Sequence, residues 1–88
     1  MKNLKNKYEY LEQLTREFSK ALEIRPSINI TALARECKLP EKVIYYYVNR
    51  QRCIPYQNAN NIIQVCRYYG IEFSEAVMNY YDAENDIV

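Results

Sequence analysis

The sequence has no histidine, no tryptophan and a single glycine, and it carries three cysteines. Without histidine the chain lacks the side chain most used for proton transfer near neutral pH and for holding zinc. Cys37, Cys53 and Cys66 are odd in number and have no metal-type spacing. They read as small hydrophobes of a reduced protein, with Cys37 and Cys66 on apolar helix stripes and Cys53 in a more open loop. No clustered carboxylates lie in a glycine-flanked context and no phosphate-binding loop is present, so neither an enzyme nor a metal or cofactor is expected. No apolar run approaches membrane-spanning length. Met1 to Lys7 is polar and basic and no apolar leader segment follows it, which gives a cytoplasmic protein with no membrane partner as the expectation. No strand-like alternation bounded by turn residues occurs either, and this points to an all-α fold.

What is present suits one small domain spanning 1–88. Hydrophobic residues make up 49% of the chain, enough for one core. Ten tyrosines are an unusual share, and a ring with a polar tip suits half-buried surfaces and interfaces. The net charge of +1 conceals three blocks: residues 1–29 carry a net +2, residues 30–70 a net +4 and residues 71–88 a net −5. A basic middle followed by an acidic end hints at a polyanionic partner for the middle, although charge alone is equally met by solvated surface.

Breaks at Arg25-Pro26-Ser27, Leu39-Pro40, Ile54-Pro55 and Gly70 divide the chain into five helical candidates. The first runs from about Leu4 to Ile24, with Leu4, Tyr8, Leu11, Leu14, Phe18, Ala21 and Leu22 at helical spacing. The second covers Ile30 to Cys37 with Asn29 as its cap. The third starts at Pro40 and ends near Asn49. The fourth starts near Pro55 and stops at Gly70, a residue suited to a left-handed helix end. The fifth starts near Ser74 with Glu75 in its first turn, and 83–88 reads as a frayed tail after a helical core over 4–82.

The informative stretch is Ile30 to Asn49. Two short helices with a tight connection need a small residue where they cross, an apolar plug in the turn and a buried side on the second helix. Ala34, Leu39, and Ile44 with Tyr47 meet those needs. The spacing of Ala34, Leu39 and Ile44 resembles the lambda-repressor-like helix-turn-helix family, of the Cro, cI and Xre type. The continuation Asn49-Arg50-Gln51-Arg52-Cys53-Ile54-Pro55 is similar to that family's N-G-x-R-x-P loop, and Asn58, Ala59 and Ile62 fit its following helix. The resemblance covers about residues 5–80. Two departures stand out: Lys38 and Arg50 occupy positions where the family usually has glycine. A non-glycine residue in a left-handed conformation costs about 1 kcal/mol or more, so a slightly different turn is expected at Lys38.

The resemblance implies a compact five-helix bundle, with the helix-turn-helix over 30–49, that binds double-stranded DNA and regulates transcription. At about 100° per residue, Pro40, Ile44, Tyr47 and Val48 share the core side of the third helix, and Lys42, Tyr45, Tyr46 and Asn49 point away. Lysine donates to guanine or phosphate, asparagine pairs with adenine, and tyrosine hydroxyls reach phosphate. Base readout is therefore expected at Glu41, Lys42, Tyr45, Tyr46 and Asn49, where Glu41 is equally a dipole-favoured first-turn acid. Phosphate contacts are expected from Arg50, Arg52, Gln57 and Asn58, beside the free amides near Tyr56 and Gln57. A homodimer on a palindrome is expected, joined through Ile71, Phe73, Val77, Tyr80 and Tyr81, unless these residues only close the core. A protein regulator is a further partner such a DNA-binding protein can have; the competing reading is a protein-interaction module on the same scaffold, such as a repressor antagonist. A contiguous apolar patch on the outer face of the third helix would favour it.

Overall fold

The computed structural model describes residues 4–85 and contains α1 (Lys7–Glu23), α2 (Ile30–Cys37), α3 (Glu41–Val48), α4 (Tyr56–Tyr68) and α5 (Glu75–Glu84). No strand occurs among the described residues, and no helix there is long and apolar enough to cross a membrane. Residues 86–88, the end of the expected frayed tail, lie outside the described residues.

Local chemistry sets the helix boundaries. Asn6 is extended (φ −151°), and its side chain accepts from the Glu9 N–H at 3.0 Å, so α1 starts three residues later than the apolar spacing predicts. Asn29 caps α2 in the same way, through the Ala32 N–H at 3.1 Å. Ser74 caps α5 through the Val77 N–H, while Glu17 accepts from the Ser74 N–H and hydroxyl at 2.7 Å each. That carboxylate therefore pins the start of α5 to the middle of α1. The C-terminal helix extends to Glu84, two residues past its predicted end. There the Tyr56 hydroxyl donates to Glu84 at 2.8 Å, and the Asn60 and Asn85 amides bond reciprocally.

Three helices end in one backbone arrangement. After α2, the Lys38 N–H meets the Arg35 carbonyl and the Leu39 N–H meets the Ala34 carbonyl. After α3, Arg50 and Gln51 repeat this onto Tyr47 and Tyr46, and after α4, Gly70 and Ile71 repeat it onto Arg67 and Cys66. Each is a Schellman motif, which needs a left-handed residue at its first position. The φ values of Lys38, Arg50 and Gly70 are 61°, 57° and 82°. Lys38 thus adopts the left-handed turn for which glycine is the usual choice, not the altered turn expected from its side chain.

The first helix is the central column and packs against α3, α4 and α5, while α2 rests on α3 and α4. Leu14 and Phe18 from α1, Leu33 from α2, Ile44 from α3, Ile54, and Ile62 and Ile63 from α4 meet in a fully buried core. Ala34 is buried at the α2–α3 crossing, and Leu39 half-buries in the turn. On α3, Ile44 and Tyr47 are buried and Val48 is half-buried, as the helical projection predicts. Pro40 is exposed instead, because it precedes the helix and leaves the core to Val43 and Ile44.

Ile71, Phe73, Val77 and Tyr81, expected to form a dimer surface, are instead core residues, none more than 8% exposed. Tyr80 is half-buried, and its ring stacks on Tyr10 with centroids 4.3 Å apart. Helices α1 to α4 leave one side of their core open, and α5 closes it. The apolar surface on which a dimer contact was expected is consumed within the chain.

Candidate nucleic-acid interface

The outward face of α3 and the loop after it hold most of the residues singled out from the sequence. Glu41, Lys42, Tyr45 and Asn49 are exposed, whereas Tyr46 is half-buried. These side chains are not equally free. The Glu41 carboxylate accepts from the Thr31 hydroxyl at 3.0 Å, which ties the first turn of α3 to the first turn of α2. The Arg52 guanidinium lies over the Tyr46 ring, 4.2 Å from its centroid. A cation–π contact of this kind is worth about 0.5–1 kcal/mol at an exposed site, and it covers the ring face that Tyr46 would offer outward. Among the described residues, the side chains of Lys42, Tyr45 and Asn49 have no hydrogen-bond or ion-pair partner. Tyr45, 44% exposed, is the one large hydrophobic residue of α3 open to solvent.

The loop from Asn49 to Pro55 is held from below by α1. Thr15 and Ser19 sit one turn apart on the otherwise apolar side of that helix, and both are buried. The Thr15 hydroxyl donates to the Leu11 carbonyl and accepts from the Ile54 N–H, at 2.8 Å each, with the Cys53 sulfur 3.5 Å away. The Ser19 hydroxyl donates to the Val48 carbonyl and accepts from the Arg50 Nε at 3.4 Å. Two small hydroxyl side chains thereby fix both ends of the loop. Neither stands out in a scan for charge or aromatics; the signal was a polar pair at i and i+4 inside an apolar stripe.

The loop and α1 together enclose a surface recess of about 160 Å³ lined by Glu12, Thr15, Arg16, Arg50, Arg52 and Cys53. Three arginines thus line one recess, two from the loop and one from α1, the latter more than thirty positions away in sequence. Arg16 was not among the sequence-predicted site residues, because nothing in the linear pattern connects it with Arg50. It pairs with Glu12 at 2.6 Å, and both side chains are more than half exposed. Such a pair contributes at most about 1 kcal/mol, so a phosphate can compete for the arginine.

The fourth helix supplies less than the sequence suggests. Gln57 is exposed, and the first amides of α4 receive no side-chain cap. Asn58 is half-buried, and its amide donates to the Tyr47 hydroxyl at 3.1 Å. Asn58, expected at a phosphate, thus also ties α4 to α3. The thiols divide as the helix stripes predict: Cys37 and Cys66 are buried and Cys53 is exposed. Burial, with Glu36 nearby, pushes the Cys37 thiol up to about 11 and raises Cys66 further still.

No family model, curated protein or solved structure matches this chain.

Proposed function

We propose that the protein binds double-stranded DNA sequence-specifically and regulates transcription, with α2 and α3 working as a lambda-repressor-like helix-turn-helix. The observation that carries this reading is the adjacency of two surfaces. One is the outer face of α3, with Lys42, Tyr45 and Asn49 uncommitted; the other is the recess lined by Arg16, Arg50 and Arg52. Base edges and a flanking phosphate require that combination: donors and an apolar ring in the groove, fixed cations beside the backbone. The Schellman turn between α2 and α3 and the buried Ala34 allow the two helices to cross closely enough for α3 to project.

One domain of this size buries about 600–1,000 Å² on DNA, so tight specific binding calls for two copies on a palindrome. The chain measures 31 × 25 × 23 Å. A palindrome would require two copies to hold their reading helices one duplex turn apart, about 34 Å, a distance comparable to the longest dimension of one chain. The contact between them would have to use surface outside the buried set Ile71, Phe73, Val77 and Tyr81. A protein-binding module has less support, because the outer face of α3 offers one exposed aromatic and no contiguous apolar patch.

The test is a binding titration on duplex DNA across a salt series. Wild type should lose affinity linearly on a log–log plot, by about 0.9 in slope for each phosphate neutralised. Replacing Arg50 and Arg52 together by alanine should flatten that slope, and R16A should flatten it further. Absence of duplex binding at low salt refutes the reading, and an unchanged slope in the variants refutes the arginine recess as its phosphate seat.

A further inference from the structure

We infer that the half-site read by this protein spans four base pairs: a guanine at Lys42, a thymine beside it at Tyr45 and, after one unread pair, an adenine at Asn49. This rests on the DNA-binding reading above and narrows it. Five side chains lie on or beside the outer face of α3, and the structure engages two of them. Thr31 holds the Glu41 carboxylate, and the Arg52 guanidinium covers the Tyr46 ring. Lys42, Tyr45 and Asn49 remain, at i, i+3 and i+7. At about 100° per residue they lie within roughly 60° of arc, a single narrow stripe. At about 1.5 Å of rise per residue the stripe is roughly 10 Å long, which is three base-pair steps of about 3.4 Å and so reaches across four pairs. Lys42 and Tyr45, roughly 4.5 Å apart along the axis, match adjacent pairs, and Asn49, roughly 6 Å further on, matches a position two pairs beyond.

Chemistry then sets the order of bases. Lysine has donors and no acceptor, and guanine alone offers two acceptors side by side in the major groove, N7 and O6. Asparagine has one donor and one acceptor at fixed separation, which matches adenine N7 and N6. Between them Tyr45 presents an exposed ring with no charged group over it, and the thymine methyl is the apolar feature of the groove. Tyr46 and Glu41 would first have to leave Arg52 and Thr31, a cost that Lys42, Tyr45 and Asn49 do not carry. Arg52 consequently acts twice, as a cation of the recess and as the group that withdraws Tyr46 from the reading stripe.

The experiment uses the whole protein and randomised duplex DNA, selecting bound sequences through several rounds and measuring affinity for the winners and for random duplex. The expected winners carry guanine and thymine at successive pairs and adenine two pairs beyond the thymine, repeated with inverted symmetry. K42A and N49A should each weaken binding to the winner about 5- to 140-fold, while random-duplex affinity falls far less. Replacing the middle thymine by uracil removes one methyl group and should weaken wild type about fourfold, but leave Y45A unaffected. Because the uracil substitution alters the DNA and not the protein, it remains informative if a variant folds poorly. Duplex binding with a different pattern, or with no loss on uracil substitution, overturns this inference and leaves the DNA-binding reading in place. No duplex binding at any salt overturns both.

Discussion

Replacing Lys38 by glycine should stabilise the protein. Lys38 is exposed and left-handed at φ 61°, ψ 39°, and its N–H and that of Leu39 close the Schellman motif at the end of α2. A side chain with a Cβ costs about 1–2 kcal/mol in that conformation. Glycine removes that cost but widens the unfolded ensemble, which takes back about 0.4–1 kcal/mol. The balance is a gain of about 0.5–1 kcal/mol, or roughly 3–6 °C in Tm for a domain of this length. The matched control is K38A, which removes the charge and the long side chain while keeping the Cβ, and so should leave Tm near wild type. Thermal melts followed by circular dichroism at one pH and salt concentration compare the three proteins. If K38G melts at or below K38A, the left-handed conformation is not a strain on this chain and the reasoning fails.

Four further outcomes follow from the packing. T15A strands the buried Ile54 N–H and should cost about 1–3 kcal/mol in urea unfolding, whereas T15S, which keeps the hydroxyl, should cost markedly less. Tyr10 is buried with no hydrogen-bond partner for its hydroxyl among the described residues, and burial raises its pKa, so Y10F should gain about 1 kcal/mol; a loss would show that the hydroxyl is satisfied in solution. Deleting residues 72–88 removes Phe73, Val77 and Tyr81 from the core, about 1.5–3 kcal/mol each, and should give an unfolded chain; a folded monomer or dimer by circular dichroism and light scattering would contradict the role of α5. Cys53 should react at once with a thiol reagent, and Cys37 and Cys66 only on unfolding; because burial pushes the Cys37 thiol up to about 11 from 9.0 and raises Cys66 as well, the contribution of the thiols to stability should be constant below pH 9 and be lost as pH rises from 9 through 11, and a melting profile as steep in C37A/C66A as in wild type across that range would refute their burial.

The helices were legible because their signals are local. Asn29 before an apolar turn, proline ahead of α3 and α4, and Gly70 after α4 placed the boundaries to within one or two residues, apart from the start of α1. There the apolar Leu4 extended the pattern past the true cap, Asn6. The fate of the C-terminal residues was not legible. Ile71, Phe73, Val77 and Tyr81 have the same composition whether they close a core or meet a second copy, and only the open side left by the first four helices decides it. The site was half legible for the same reason. Residue types on α3 could be read from the sequence, but their commitments could not: Thr31 to Glu41, Arg52 to Tyr46, and Tyr47 to Asn58 are contacts between positions six to eleven apart on different elements. Arg16 was invisible from sequence because the recess is formed by packing.

Arg50 shows how the strain and the site are connected. Like Lys38 it holds a left-handed position that glycine would fill at lower energy, and it repeats the same turn at the end of α3. Unlike Lys38, its side chain is built into the fold, with Nε on the Ser19 hydroxyl and the guanidinium lining the recess shared with Arg16 and Arg52. A residue at the first position of a Schellman turn leaves the helix axis sharply, so its side chain is directed sideways toward α1, away from the stripe of α3. That direction is what the proposed phosphate contact beside α3 would require. The strain of about 1 kcal/mol at Arg50 is therefore coupled to the aim of its cation, whereas the strain at Lys38 serves no contact among the described residues. The two substitutions should then part in function. K38G should keep wild-type duplex affinity. R50G should relax the turn, forfeit the Ser19 contact, and weaken binding to random and selected duplexes by similar factors. If R50G binds duplex DNA as wild type does, the left-handed turn after α3 is a tolerated flaw with no part in aiming a cation.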